Sequence, residues 1–272
     1  MPTVLLVRHG RTVANATGVL AGWTPGVGLD DAGRAQVEAL GNRMVPVPIS
    51  LVVASPLQRC QETAAALLAP RPQPARSRST RAKPQPPQLL SDDRLGECKY
   101  GDWTGRELKD LVKEPLWRVV QAHPSAARFP GENGESMLDM QHRAVGAIRE
   151  YDARVAEEFG PDALWVAVSH GDVIKSILAD ALGMHFDAFQ RLVVDPASIS
   201  VIRFTPLRPF AVRINDSGAE LASLAPPERK KRRSRASRAA ADLASSDAVV
   251  GGSAGTGGGG ASIRSAAPAG TT

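Results

Sequence analysis

Thr3-Val4-Leu5-Leu6-Val7-Arg8-His9-Gly10 opens the chain with a short apolar run that stops at a guanidinium, an imidazole and a glycine. An apolar run of this length with a sharp polar boundary reads as a buried strand. The pattern returns where Leu164 to Val168 leads into Ser169-His170-Gly171. Two histidines thus share one local context, each at the carboxyl end of a buried strand and each followed by glycine. In an open α/β sheet, the carboxyl ends of the strands are where ligands bind. If the two strands are parallel neighbours, His9 and His170 face one crevice, and the glycines beyond them leave room for close backbone approach to a ligand.

The sequence between these strands alternates in period. A Gly-rich loop from Gly18 to Gly28 precedes Asp30 and Asp31, either of which can cap a helix carrying Val37, Leu40 and Met44 at helical spacing. Pro46 and Pro48 end it. Leu51 to Ala54 is a second strand, and Ser55-Pro56 opens the next helix. Leu89-Leu90 fits a short strand, and a weakly periodic helical stretch runs from about Arg106 to Val120. Ser136 then caps a long helix whose Met137, Met140, Ala144, Ile148, Tyr151, Val155 and Phe159 form one core-facing stripe. A helix to about Leu182 follows His170, and β-rich stretches at Ser198–Phe204 and Phe210–Ile214 close the domain. Strands alternating with helices predict an α/β sheet, mixed because no helix separates the last two strands.

Two segments break the pattern. Pro70 to Pro87 is rich in Pro, Arg, Ser and Gln, and it reads as an extended or disordered insertion. From Ser217 onward Ala, Ser, Gly, Arg and Pro dominate, with a basic block at Glu228–Arg238 and low complexity at Gly251–Gly260. That tail carries eight Lys/Arg against four Asp/Glu, so most of the chain's net charge of +5 belongs to it. The expected organisation is one domain over 1–216 and a disordered tail over 217–272, whose removal leaves folding and kinetics nearly unchanged. The basic block lacks interleaved aromatics, so a solvated extension is expected rather than a nucleic-acid partner. No apolar run approaches the roughly 20 residues of a membrane span, and Val4–Val7 is too short for a signal-peptide core. The expectation is a soluble, cytoplasmic protein with no membrane partner. Cys60 and Cys98 neighbour candidate functional residues, so a redox-sensitive pair is conceivable; two reduced, partly buried thiols are the simpler reading. No metal-ligand spacing links the His and Cys residues, so no metal is expected.

The chemistry follows from residue types. Arg8 and Arg59, the latter at the start of the helix after the second strand, suit a phosphate dianion because guanidinium donates paired hydrogen bonds and keeps its charge. Two arginines also favour neutral imidazole, the form that attacks phosphorus. A departing alkoxide needs a proton, and Glu97, just before Tyr100-Gly101-Asp102-Trp103, is the candidate donor. His123, His142 and His185 lack this context and read as ordinary surface or core residues.

Arg8-His9-Gly10-Arg11-Thr12 with Asn15, then Ser55-Pro56-Leu57-Gln58-Arg59-Cys60-Gln61-Glu62-Thr63-Ala64, resembles the histidine phosphatase superfamily, the clan that includes cofactor-dependent phosphoglycerate mutases. Glu97 before Gly101-Asp102-Trp103-Thr104-Gly105, Gly134-Glu135-Ser136 and Ser169-His170-Gly171-Asp172 extend the match in the family's order over roughly residues 3–214. The resemblance implies a three-layer α/β/α sandwich with a mainly parallel sheet. It implies His9 as phosphohistidine nucleophile, Glu97 as general acid and later base, and Arg8, Arg59 and His170 as the phosphate pocket, with Asn15 a further contact. It implies no metal or organic cofactor and a small phosphorylated substrate. Three functions stay open: a phosphomonoester hydrolase, a phosphomutase, and a catalytically silent phospholigand binder. The longer segment that glycolytic mutases carry after the acidic residue is not visible here, which favours the hydrolase. The substrate is not readable, and although dimers are common among such enzymes, no feature selects a homodimer.

Overall fold

In a computed structural model the described residues are 2–70, 87–219 and 250–252. The segment read as an insertion and most of the segment read as a tail lie outside them. The elements in chain order are β1 (Thr3–Arg8), α1 (Val13–Thr17), α2 (Asp31–Met44), β2 (Ile49–Ala54), α3 (Gln58–Leu68), β3 (Gln88–Ser91), α4 (Leu108–Leu111), α5 (Pro115–Ala122), α6 (Met137–Phe159), β4 (Leu164–Ser169), α7 (Gly171–Ala181), β5 (Ile199–Arg203) and β6 (Phe210–Asp216). They build one six-stranded sheet in the order β3-β2-β4-β1-β5-β6. The first four strands across the sheet are mutually parallel, and β5 and β6 run antiparallel at one edge.

The apolar runs of the central strands are continuous because both faces of the sheet are covered. Val4, Leu6, Leu51, Val53, Trp165 and Ala167 point into one core, which α6 and α7 complete with Met140, Ala144, Ile148 and Ile174. Their alternating neighbours Leu5, Val7, Val52, Val166 and Val168 point into the other, under Val37, Leu40 and Met44 of α2 and Cys60 and Ala64 of α3. This is the expected three-layer sandwich. Period-2 alternation assigns each strand residue to one core or the other.

The helix boundaries have local causes. The Asp30 carboxylate accepts from the Gly33 amide at 2.7 Å and caps α2, and the Ser136 hydroxyl accepts from the Asp139 amide at 3.0 Å and caps α6. The stretch expected as one helix over Arg106–Val120 is two, because Pro115 has no N–H to continue the first and instead begins the second. Phe159, expected on the core stripe of α6, is 48% exposed at its last position. Among the described residues no helix is long and apolar enough to cross a membrane.

Val250 departs from the reading of a detached tail. It is 1% exposed and belongs to the core cluster on the α6–α7 side, so at least this point of the C-terminal segment is packed against the domain.

The core on the α6 side sets a stability expectation. Met140 is fully buried in the first turn of α6, so Met140→Ala should lower unfolding free energy by roughly 2–5 kcal/mol in urea titration. A loss below about 1 kcal/mol would contradict the packing described for this face.

Candidate active site

The site is assembled by strand register. Arg8 of β1 lies opposite Ser169 of β4 in a parallel pair, so the next residue of each strand, His9 and His170, leaves the sheet at the same height. Their rings sit 5.2 Å apart, centre to centre, at 61°. On the other side of β4, the Ser55 amide donates to the Val168 carbonyl at 2.9 Å, extending the β2–β4 ladder past Ala54. The Ser55 hydroxyl thereby lies 2.8 Å from His170 Nε2.

His9 is held in one tautomer. Its Nδ1 lies 2.7 Å from the Gly10 carbonyl oxygen. A carbonyl can only accept, so Nδ1 carries the proton and Nε2 keeps its lone pair. That Nε2 accepts from Arg59 Nε at 3.3 Å. Arg59 projects from the first turn of α3, and its Nη2 donates to the Gly22 carbonyl at 2.9 Å. Its Nη1 is buried and has no hydrogen-bond partner among the described residues. A buried guanidinium nitrogen without a partner is costly, and an anion in the adjoining cavity would satisfy it. That cavity, about 240 Å³, is lined in part by His9, Asn15, Arg59, Glu97 and Tyr100.

Glu97 enters from the loop after β3. Its backbone carbonyl accepts from Trp23 Nε1 at 2.6 Å and from Arg143 Nη2 at 3.0 Å. Arg143 also donates to the Arg94 and Gly96 carbonyls, each at 2.8 Å, and pairs with Glu135 at 2.6 Å. The loop is thus clamped through its main chain, leaving the carboxylate to face the site, with Oε2 3.9 Å from His170 Nδ1.

Burial and charge set the protonation states. Burial, then the positive charges of Arg59 and Arg8, hold the His9 imidazole well below its ordinary range, against the opposing bond to Gly10. His170 is lowered by the same burial, then by Arg59. Glu97 moves the other way: burial and the nearby Asp172 carboxylate push it up to about 7, with Arg59 opposing. Near neutral pH the site therefore holds two neutral imidazoles and a carboxyl group poised to give or take a proton.

One family model, the histidine phosphatase superfamily (branch 1), matches residues 4–217. The chain belongs to this superfamily. Its relatives include phosphatases and phosphoglycerate mutases. An adenosylcobalamin/alpha-ribazole phosphatase of Escherichia coli is 28% identical over 207 residues, 75% of this chain and 92% of the relative. A 2,3-bisphosphoglycerate-dependent phosphoglycerate mutase 2 of Gloeobacter violaceus is 25% identical over 180 residues, 66% of this chain and 75% of the relative. Among solved structures, the alpha-ribazole phosphatase of Shigella flexneri superposes with a TM-score of 0.62 at 25% identity, covering 79% of this chain and 96% of that one.

In this member of the histidine phosphatase superfamily, His9, Asn15, Arg59 and Glu97 lie on the cavity wall. Arg8 and His170 stand behind it, both fully buried. Arg8 Nη1 donates to the Val194 carbonyl at 2.8 Å, so it braces the strand end as well as contributing charge. Asn15 forms a capping box with Thr12: its carboxamide oxygen accepts from the Thr12 amide at 3.1 Å. That bond fixes the side chain and leaves its NH2 end as donor. Gly10 has a different use from the expected ligand approach. A Cβ there would lie 2.7 Å from the Gly33 carbonyl and 2.8 Å from Val37, so the glycine lets α2 pack against the strand end.

Sequence reasoning assigned no role to Asp172 or Lys175, which with Tyr100, from the loop after Glu97, form a buried group beside the site. The Tyr100 hydroxyl donates to Asp172 Oδ2 at 3.0 Å, and Lys175 Nζ lies 3.6 Å from Asp172 Oδ1. A signal was present: Asp172 and Lys175 are the two charges, three residues apart, in the otherwise mostly apolar run from Gly171 to Ala179 of α7. Trp103, in the loop after Glu97, is a core residue stacked on Trp117.

Glu97 makes stability depend on pH in a defined direction. Its folded value, about 7, lies above the ordinary 4.5, so its contribution is full below about 4.5 and is lost as pH rises to about 7. The melting temperature of the native chain relative to Glu97→Gln should fall across that window and be flat outside it. A difference that stays constant from pH 4 to 8 would show that the carboxyl group is not buried in this way.

Proposed function

We propose that the chain is a phosphomonoester hydrolase that works through a phosphohistidine at His9. The observation that carries this reading is the fixed tautomer of His9: Nδ1 holds the proton, Nε2 keeps the lone pair to which Arg59 Nε donates, and His9 lines one cavity with Glu97 and with Arg59, whose Nη1 has no hydrogen-bond partner among the described residues. The substrate phosphate dianion is held by Arg59, with Arg8 and His170 supplying charge and polarity from behind and the Asn15 amide donating from the side. His9 Nε2 forms a bond to phosphorus as the ester P–O bond breaks, and protonated Glu97 gives its proton to the departing oxygen. Water then attacks the phosphohistidine. Glu97, now a carboxylate, takes the water proton, the P–N bond breaks, and phosphate leaves with both groups reset.

Small phosphorylated metabolites are the substrate class this pocket suits. The phosphatase relatives support hydrolysis over transfer, as does the short path from Glu97 to the turn at Gly101–Trp103. The mutase relative keeps transfer to a second hydroxyl as the alternative. Two buried free thiols, Cys60 and Cys98, fit a reducing, cytoplasmic setting.

The test is turnover of p-nitrophenyl phosphate without added metal, with a denaturing quench to trap the adduct. An acid-labile phosphoenzyme that disappears in His9→Ala, with activity down at least a thousandfold, is the expected result. A His9→Ala protein retaining a tenth of the native rate would sink the nucleophile assignment. Glu97→Gln should slow an alkyl phosphate at least tenfold more than the aryl ester, whose leaving group hardly needs a proton. Equal losses on both would remove Glu97 from the acid role.

A further inference from the structure

Val250, Gly251 and Gly252 lie against the catalytic site although more than thirty residues separate them from the end of β6. Val250 is buried in the core that also holds Leu20 and Tyr100. The Gly251 amide donates to Asp172 Oδ2 at 2.8 Å, the same carboxylate oxygen that accepts from Tyr100. The Gly251 carbonyl accepts from Arg8 Nη2 at 3.3 Å. Three anchors thus hold the segment: an apolar side chain, a charge-assisted bond to a buried carboxylate, and a bond from a buried guanidinium.

The sequence of the segment matches the space. Both glycines have positive φ, 78° and 81°, where a side chain is strained. A Cβ on Gly252 would lie 2.9 Å from the Arg8 guanidinium carbon, and one on Gly251 would lie 3.0 Å from Leu20. From the opposite side, a Cβ on Gly171 would meet the Gly251 carbonyl and Gly252 Cα at 3.3 Å. Gly171, at the strand end behind His170, therefore serves the approach of this segment.

We propose that Val250–Gly252 is a fixed wall of the catalytic pocket, completing it from the C-terminal side and restricting it to small phosphomonoesters. The inference rests on the hydrolase reading above. All three residues line the same cavity as His9, Arg59 and Glu97, and with the segment in place that cavity stays open, at about 240 Å³. The segment bounds the space and does not fill it, which separates a wall from a plug. That volume lies below the roughly 300–1,000 Å³ of pockets that hold drug-sized ligands. Removal of the wall would widen the pocket and admit water to Asp172 and Arg8.

The experiment compares the full-length chain with two full-length variants. Val250→Asp puts a charge into the core and releases the segment; Gly252→Val places a branched side chain against Arg8. A third form, ended at residue 219, removes the segment without straining it. Amide exchange of the peptide containing Val250–Gly252 should be protected in the native chain and unprotected in Val250→Asp. Kinetics are read on O-phosphoserine as a small ester and adenosine 5′-monophosphate as a bulky one. All three altered forms should raise KM for phosphoserine at least tenfold and shift the kcat/KM ratio toward the nucleotide at least tenfold. A rise in kcat/KM on both esters together would make the segment an autoinhibitory plug and overturn the wall. Native turnover with a ratio unchanged within twofold, or no protection in the native chain, would overturn it as well. A native chain that hydrolyses no phosphomonoester would instead overturn the hydrolase reading, and the wall with it.

Discussion

The parallel pairing of β1 with β4, which sets Arg8 opposite Ser169, brings two histidines more than 150 residues apart in sequence to within 5.2 Å. Each histidine is the first residue past its ladder, so neither needs a bespoke loop to aim it. The register is enforced from both sides of the sheet. A shift of one residue would move Val4 and Leu6 into the core now filled by Leu5 and Val7, and would put Arg8 out of step with Val194. Positioning of the imidazoles is therefore coupled to the whole apolar content of the central strands.

That positioning concentrates charge where water is excluded. Arg8, Arg59 and Lys175 are buried in the same region as Glu97 and Asp172. Isolated, each would carry a desolvation cost of several kcal/mol. Together they offset one another incompletely, and the imbalance has a distribution. Arg59 and Arg8 act on the imidazoles, which stay neutral, while Lys175 pairs with Asp172, whose charge helps Glu97 hold its proton to about pH 7. Glu97 and the two histidines are thus driven in opposite directions by neighbours placed on different elements. The main-chain clamp on Glu97 by Trp23 and Arg143 lets its carboxylate remain in this field without moving away.

The sheet and much of the candidate site were legible in the sequence because each rests on local pattern. Val4–Val7 and Leu164–Val168 announce buried strands, and His9 and His170 inherit their places from the strand ends. Arg59 was legible from the turn after β2. The capping of α6 by Ser136 was legible as well. What could not be read depends on contacts between distant segments. Gly10 looks like a ligand-facing glycine until Gly33 is seen 2.7 Å from where its side chain would begin. Arg8 looks like a pocket residue until its guanidinium is seen bonded to carbonyls of Val194 and Gly251. The Asp172–Tyr100 bond joins residues 72 positions apart. Val250 sits in a stretch whose composition suggests no fold, and one valine carries no periodicity.

Cys60 lies buried in the same region as the two imidazoles. Its sulfur lies 3.5 Å from His170 Nε2. Burial nevertheless pushes that thiol up to about 12, so it is protonated at neutral pH. Peroxides and alkylating agents react with the anion, and a phosphatase whose nucleophile is cysteine must expose one to function. Here the Cys60 thiol bonds to the Ser169 carbonyl and stays protonated beside the imidazoles, so a peroxide meets no sulfur anion there.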